Sequence, residues 1–285
     1  MPRFLRWTLW AAGVLCLLAL VAVGALFVRS EQIIRERHTI DAPEFTTPLP
    51  TDSASIAEGR RIAFTRGCPG CHGEALEGQV FFEEPWIARL VAPNLTKLVR
   101  EHTDAELERS IRHGIEEDGT SLFGMPAEMY RSLSGDDLAR LLAWIRSLPE
   151  VEGDSRQRSI GPLGRLGIAL GEFRTSRYYI ETEAVLPVPS DPALVLGHYV
   201  ATTSCTECHG NTMLGDGFGS PPLPPLAVVY SADEFAAFFR SGVTRSGLEL
   251  PMMSGVARGR LSHLTADEVT SLHAYLRSLH QAGAS

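Results

Sequence analysis

The pentapeptide Cys-x-x-Cys-His occurs twice in this chain, at residues 68–72 and again at residues 205–209. The chain has 285 residues and five cysteines, and four of the cysteines belong to these two motifs. Each motif places two thiols and an imidazole on about one turn of backbone, and these groups bind metals and attack electrophilic carbon. Any fold proposed for this chain therefore has to present two such clusters.

The spacing within each motif is the attachment sequence of a c-type haem. Two thiols two residues apart can add to the two vinyl groups on one porphyrin edge, and the adjacent histidine then directs its imidazole at the iron. The sequence predicts two covalently bound c-type haems, with His72 and His209 as proximal iron ligands. The four cysteines predicted to form thioethers are Cys68, Cys71, Cys205 and Cys208.

Zinc and redox-active thiols are the alternatives for these cysteines. A structural zinc site usually has its cysteine pairs some 15 to 20 residues apart, whereas 133 residues separate Cys71 from Cys205. A redox-active pair would need a strand-helix-strand context that the sequence lacks, and a simple disulfide would not require a following histidine. Haem attachment is therefore favoured over both.

The sixth iron ligand is expected to be a methionine, because a thioether sulfur suits haem iron and raises its potential. Met125 precedes Pro126, whose ring restrains the backbone, and is favoured over Met129, which remains the alternative. In the second half Met252 and Met253 are adjacent and only one can point at an iron. We favour Met253, although the spacing does not decide between them.

Other side chains are weaker candidates for the sixth position. Met213 lies four residues after His209, too close to reach the opposite haem face. A second histidine ligand at one haem stays open as an alternative, although packed or surface roles are expected for the remaining histidines. Surface positions are expected for His102, His263, His273 and His280, and packed or surface positions for His38, His113 and His198.

The motifs belong to an internal repeat covering residues 54–150 and 191–285. Both repeats contain a Ser/Thr-x-x-Glu helix start, at Thr103–Glu106 and Ser231–Glu234, followed by a glycine that suits a helix end. Both end in an apolar stripe with helical spacing. Neither contains a clear alternating strand pattern. The predicted fold class is mainly α, with two tandem helical domains.

The first thirty residues differ from the rest. From Trp7 to Val28 no residue is charged, and a helix of this length spans roughly 33 Å, enough for a bilayer core. Arg3 and Arg6 precede the run and favour a cytoplasmic N-terminus. We predict a transmembrane anchor over residues 1–30, with a cleaved signal peptide and a buried helix as alternatives.

Two segments connect these parts. Residues 31–53 lose the apolar periodicity and are predicted to form a tether between the anchor and the first repeat. Residues 151–190 form an interdomain linker that is too long for an inert connection. We expect this linker to pack along both repeats and to fix their relative orientation.

Taken together, these motifs resemble the class I cytochrome c domain, and the whole chain resembles membrane-anchored di-haem cytochromes c of bacteria. The resemblance covers both repeats but not the anchor, tether or linker. It implies that a glycine on the first helix packs against an aromatic residue on the last. Gly59 with Trp144, and Gly197 with Tyr275, fit that pattern.

The resemblance also implies that a proline carbonyl accepts a hydrogen bond from each proximal histidine and so orients it. Pro93 matches that position in the first repeat. Pro224 is the corresponding choice in the second repeat, where the segment Pro-Leu-Pro-Pro departs from the Pro-Asn-Leu-Thr of the first.

The expected function is single-electron transfer through two haems on the periplasmic side of the cytoplasmic membrane, without catalysis. Donors would be a dehydrogenase or quinol-oxidising complex, and acceptors an oxidase or a soluble cytochrome. The alternatives are a di-haem redox enzyme, such as a peroxidase or thiosulfate-oxidising cytochrome, and a cytochrome subunit of a respiratory dehydrogenase or oxidase complex.

The charge distribution supports protein partners rather than nucleic acid. Outside the first forty residues, which carry five basic and two acidic side chains, 21 basic and 32 acidic ones remain, a net charge of -11. Affinity for a polyphosphate depends mainly on clustered Lys and Arg, so nucleic-acid binding is excluded. An acidic surface of this kind favours docking of a basic protein partner.

Overall fold

The computed structural model of this chain describes residues 2–40, 44–153, 158–215 and 219–283. The protein is mainly helical, as the sequence predicts. Before the linker the elements are α1 (Arg3–Ile34), α2 (Ser53–Thr65), α3 (Cys68–His72), β1 (Gln79–Glu84), β2 (Ala88–Ala92), α4 (Leu95–Glu101), α5 (Asp104–His113), α6 (Ala127–Tyr130) and α7 (Gly135–Ser147).

The linker contains β3 (Ser159–Ile160), α8 (Pro162–Leu170) and α9 (Ser176–Thr182). The remaining helices form the second repeat, in which a 3₁₀ turn (Leu261–His263) precedes the last one. They are α10 (Pro192–Ser204), α11 (Thr206–His209), α12 (Leu223–Val229), α13 (Ala232–Ser241), α14 (Met253–Gly259) and α15 (Ala266–Gly283).

Helix α1 is the one helix in the described ranges that is long and apolar enough to cross a membrane. Its side chains are exposed along almost the whole length, so it is not a core helix of a soluble protein. It is a candidate membrane anchor or signal sequence. The helix ends at Ile34, four residues beyond the predicted limit of the anchor.

Each repeat has its own hydrophobic core around a close crossing of its first and last long helices. In the first repeat α2 crosses α7, and a Cβ added to Gly59 would lie 1.9 Å from the carbonyl oxygen of Arg140. In the second repeat α10 crosses α15, and a Cβ added to Gly197 would lie 2.0 Å from the carbonyl oxygen of Ser271. Glycine is therefore required at both crossings.

The helix ends follow the sequence signals closely. Complete capping boxes start α5 and α13, with Thr103 and Glu106, and Ser231 and Glu234, bonding reciprocally. Both helices end at a glycine with positive φ, which relieves the strain that a side chain would cause there.

A small antiparallel sheet was not expected from the sequence. Strands β1 and β2 form a hairpin inside the first repeat, with a bulge between Val80 and Phe82, and β3 of the linker pairs with β2. The first repeat therefore contains a hairpin although its sequence shows no clear alternating pattern, and the fold class remains mainly α. The side chains of β2 alternate between buried and half-buried over only five residues, too short a pattern to detect from sequence.

The tether and the linker both pack against the repeats. Phe45 and Leu49 of the tether contact the first core, and the backbone of His38 bonds to that of Gly119. The linker contacts the first repeat where Arg131 donates to the carbonyl of Ile180 at 2.9 Å. The linker also contacts the second repeat, where Leu186 packs against the second core.

Replacing Gly197 with alanine should destabilise the protein by about 2 kcal/mol, because the new Cβ meets backbone that cannot move aside cheaply. Thermal unfolding followed by circular dichroism measures the effect as a lower melting temperature. Gly255→Ala is the matched control, since no atom lies within 4 Å of its added Cβ and alanine favours a helix. A Gly197→Ala protein as stable as this control would contradict the crossing.

Candidate haem-attachment sites

The first Cys-x-x-Cys-His motif forms the short helix α3. It begins after Gly67 and ends before Gly73, and both glycines have positive φ. The Nδ1 atom of His72 lies 2.9 Å from the carbonyl oxygen of Pro93, to which it donates a hydrogen bond. Nε2 is therefore the nitrogen that would bind a metal, which is the usual arrangement of an oriented histidine ligand.

The second motif repeats this arrangement with a different proline. Nδ1 of His209 lies 2.9 Å from the carbonyl oxygen of Pro221, so the choice of Pro224 is wrong. Pro224 lies inside α12, where its carbonyl is directed along the helix axis. Pro221 lies two residues before α12, just as Pro93 lies two residues before α4. This position relative to the next helix is the feature that would have identified Pro221 as the hydrogen-bond acceptor.

The first cysteine of each motif is a thiol with a raised pKa. All five cysteines lie in described segments and none forms a disulfide. Burial raises the pKa of the Cys68 thiol to about 11, and it has the same effect on the Cys205 thiol, whose pKa is also about 11. At neutral pH these groups are protonated, which disfavours thiolate chemistry such as disulfide exchange.

The donor set of each motif suits a haem better than a bare metal ion. Burial lowers the pKa of His72, which favours the neutral imidazole that a metal requires. Within the described residues no three His, Cys, Asp or Glu side chains converge as a metal site would need. A porphyrin supplies four nitrogens itself, so two thiols and one oriented imidazole are what the protein has to provide.

The methionines predicted as sixth ligands lie near the start of a short helix in each repeat. Met125 precedes the N-cap residue of α6, while Met129 inside α6 is fully buried. Met253 is the first residue of α14 and packs partly buried against the second core, whereas Met252 is 72 % exposed.

Met213 occupies the same place as Leu76 of the first repeat. Both side chains are fully buried with positive φ, and both carbonyls accept from the first residue of the next helix. Met213 is therefore a core residue beside its own motif, as expected from its distance along the chain.

Two of the remaining histidines have defined packing roles. His198 and His273 are both buried, and their Nε2 atoms lie 2.9 Å from the carbonyl oxygens of Leu186 and Tyr230. The prediction that His273 lies at the surface is wrong, because this residue packs against the ring of Phe235.

The two motifs lie side by side across the contact between the repeats. Arg260 donates to Glu207 of the second motif at 2.8 Å, and to the carbonyl of Arg66 at 3.2 Å. The guanidinium of Arg260 covers Gly67, the residue before the first motif. One side chain therefore bridges the two clusters.

Arg66 strengthens the same contact from the first repeat. It is only 2 % exposed, and it donates to the hydroxyl of Ser204, directly before the second motif, at 3.1 Å. Its guanidinium also lies 5.5 Å from the ring centre of Tyr199, and the hydroxyl of Tyr199 donates to Asp137 at 2.6 Å.

A further ion pair closes the contact at its other end. Arg61 bonds to both carboxylate oxygens of Glu268, at 2.6 and 3.0 Å. None of these bridging residues is predictable from the sequence, since no local pattern shows which arginine reaches another repeat.

Comparison with known proteins agrees with the chemistry of the first motif. Residues 56–149 match the family model for cytochrome c. The chain therefore contains a cytochrome c domain in its first repeat, and this domain implies a covalently bound c-type haem.

Three curated relatives are cytochrome subunits of dehydrogenases. The cytochrome c subunit of the quinone-dependent alcohol dehydrogenase from Gluconacetobacter polyoxogenes is 25% identical, over 80% of this chain and 56% of the relative. The fructose dehydrogenase cytochrome subunit from Gluconobacter japonicus is 22% identical, over 83% and 55%. The gluconate 2-dehydrogenase cytochrome c subunit from Pantoea cypripedii is 22% identical, over 82% and 62%. The chain spans little more than half the length of the first relatives.

Proposed function

We propose that this protein is a membrane-anchored di-haem cytochrome c that passes single electrons from a dehydrogenase to a further redox protein. The observation that carries the proposal is the duplication of one site: two Cys-x-x-Cys-His motifs, each with its histidine bonded to a proline carbonyl at 2.9 Å. The match of the first repeat to cytochrome c supports the chemistry at one site, and the repeated geometry supports it at the other.

Each repeat would hold its haem with four side chains. In the first repeat Cys68 and Cys71 would form the thioethers, His72 would be the proximal ligand and Met125 would supply the sixth ligand. The bound iron supplies one-electron exchange between its ferric and ferrous states. The equivalent set in the second repeat is Cys205, Cys208, His209 and Met253.

The choice of methionines follows from their surroundings. Met253 is half-buried against the core, so its thioether is held in apolar surroundings, whereas the exposed Met252 has no such support. The hydroxyl of Ser176 donates to the carbonyl of Met125 at 2.6 Å and fixes the backbone beside that side chain. Met129 is already enclosed in the core.

Electrons would cross between the repeats at the contact bridged by Arg260. The residues flanking the two motifs bond to one another there, so the cysteines that would hold the two haems flank the same interface. The guanidinium of Arg260 offsets the negative charge of Glu207 at this place, which would favour the reduced state of haems held there.

The partners and location follow from the anchor and from the relatives. Helix α1 would cross the cytoplasmic membrane and hold both repeats on the periplasmic side. The relatives are named as cytochrome subunits of dehydrogenases, which favours a dehydrogenase as electron donor. The acceptor would be an oxidase or a soluble cytochrome, and the acidic surface favours a basic docking face on it.

Haem counting tests the proposal directly. The wild-type protein should contain two covalently bound haems per chain, and a Cys205→Ser/Cys208→Ser variant should contain one. Mass spectrometry of the denatured protein and the absorbance of its pyridine haemochrome give the count. Cys16→Ser should keep both haems, because this residue lies on the exposed face of α1. One haem in the wild-type protein would contradict the proposal.

The two adjacent methionines of the second repeat give a second test. Met253→Leu should abolish about half of the ferric absorption band that reports a methionine-iron bond, because one of two such ligands is lost. Met252→Leu should leave the band unchanged. The opposite result would assign the ligand to Met252, and an absent band in the wild type would exclude methionine at both haems.

Neutralising the bridging charge should lower the reduction potentials. Arg260→Gln removes a cation that stabilises the extra electron, so at least one haem should shift down by roughly tens of millivolts in a redox titration. Arg258→Gln is the control, because this arginine lies two residues before Arg260 and pairs with Glu249 in an exposed position. Equal shifts in both variants would argue against a specific effect of Arg260.

A further inference from the structure

Helix α8 of the linker packs against the end of α1. Nε of Arg29 donates to the carbonyl of Ala169 at 2.8 Å, and Arg165 donates to Glu31 at 2.6 Å and to Ser30 at 3.2 Å. The first bond satisfies the carbonyl of Ala169 near the C-terminal end of α8, and the second pairs Arg165, the one charged side chain of α8, with Glu31. The position of α8 relative to α1 is therefore fixed by specific contacts.

The contacts place α8 where the apolar run of α1 ends. That run ends at Val28, and the guanidinium of Arg165 lies 4.3 Å from the ring centre of Phe27. The bonded partners on α1 are residues 29–31. If α1 crosses a bilayer, α8 lies at the height where it leaves the hydrocarbon.

Helix α8 is apolar on its outer face as well as on its packed face. Gly164, Ile168 and Ala169 are buried. Leu163, Leu166 and Leu170, spaced three and four residues apart, are 54, 37 and 62 % exposed. A helix that is apolar all round normally has both faces covered.

The exposed face continues onto the tip of the β1–β2 hairpin. The backbone N–H of Leu163 donates to the carbonyl of Trp86 at 2.9 Å, and that of Gly161 to the carbonyl of Ile87 at 2.8 Å. The side chains of Trp86 and Ile87 are 69 and 38 % exposed. An exposed tryptophan at this height has the position that interfacial aromatic residues occupy in membrane proteins.

We infer that five residues form a membrane-contact patch that inserts into the outer lipid interface beside α1. The five residues of this patch are Trp86, Ile87, Leu163, Leu166 and Leu170. The inference rests on the anchoring of α1 that the proposed function includes, and continuity of the patch with α1 favours lipid over a protein partner. The patch holds the first repeat against the membrane through its hairpin, in addition to the tether.

The occupant is the acyl and glycerol region of lipid rather than an anionic headgroup. The only basic side chain of α8, Arg165, is already paired with Glu31. Glu83 and Glu84 on the hairpin are exposed and would oppose anionic lipids. Insertion is thus driven by burial of apolar surface and does not require negative lipids.

Site-specific photocrosslinking in phosphatidylcholine nanodiscs tests the patch on the full-length haem-loaded protein. A benzophenone amino acid replaces Leu170, Leu248 or Leu17 in turn, and the lipid carries a clickable acyl chain. Leu170 and Leu248, on a loop of the second repeat, are both 62 % exposed, and Leu17 of α1 is 61 % exposed. Leu17 reports insertion of the anchor and Leu248 reports random contact.

Lipid adducts at position 170 should be at least fivefold more abundant than at position 248 and should approach those at position 17. A variant with the benzophenone at Trp86 should behave like that at position 170, and an unchanged haem count shows that each protein is folded.

Adducts at position 17 with equal, low yields at positions 170 and 248 would overturn the patch alone. Chain-to-chain adducts at 170 would also overturn it, in favour of a second copy. No adducts at position 17 would overturn the anchoring itself, and the patch with it.

Discussion

In each repeat the first and last long helices cross at a backbone contact, where a glycine of the first helix meets a carbonyl of the last. At this distance no side chain fits, so the angle and height of the first helix are fixed by hard contact rather than by adaptable packing. Helices α2 and α10 lead directly into the two Cys-x-x-Cys-His motifs. The position of each motif, and of the histidine that a proline carbonyl then orients, therefore depends on that crossing.

The two repeats are joined around one buried arginine, Arg66, and one half-buried arginine, Arg260. Burying a guanidinium is costly unless its hydrogen-bond donors are used. Arg66 donates to Ser204 and stacks near Tyr199, while Arg260 uses Glu207 and a backbone carbonyl. Because these bonds form only when the repeats have one relative placement, they select that placement. The two motifs are consequently neighbours by virtue of specific polar contacts, and apolar packing alone would not impose this.

Local features were predictable from the sequence, whereas features that depend on distant contacts were not. The capping boxes of α5 and α13, the glycines that end both helices and the mainly helical class follow from short-range rules. The choice of Pro224 was wrong because Pro93 lies 21 positions after His72, whereas Pro221 lies only 12 positions after His209. The hairpin accounts for the longer segment in the first repeat. The burial of His273 and the bridging by Arg260 depend on partners far along the chain, which no single-sequence pattern reveals.

The side chain of Tyr199 has a consequence for the independence of the two halves. It belongs to the second repeat but packs against the first core, and its hydroxyl bonds to Asp137 and Ser134 there. The hydrophobic core of the first repeat is therefore completed by a side chain of the second repeat, and the first repeat is not structurally independent. Although the chain contains an internal repeat, the contacting surfaces of its two halves are complementary. Neither half could therefore be replaced by the other, or by a cytochrome c domain of another protein, without redesigning the surface between them.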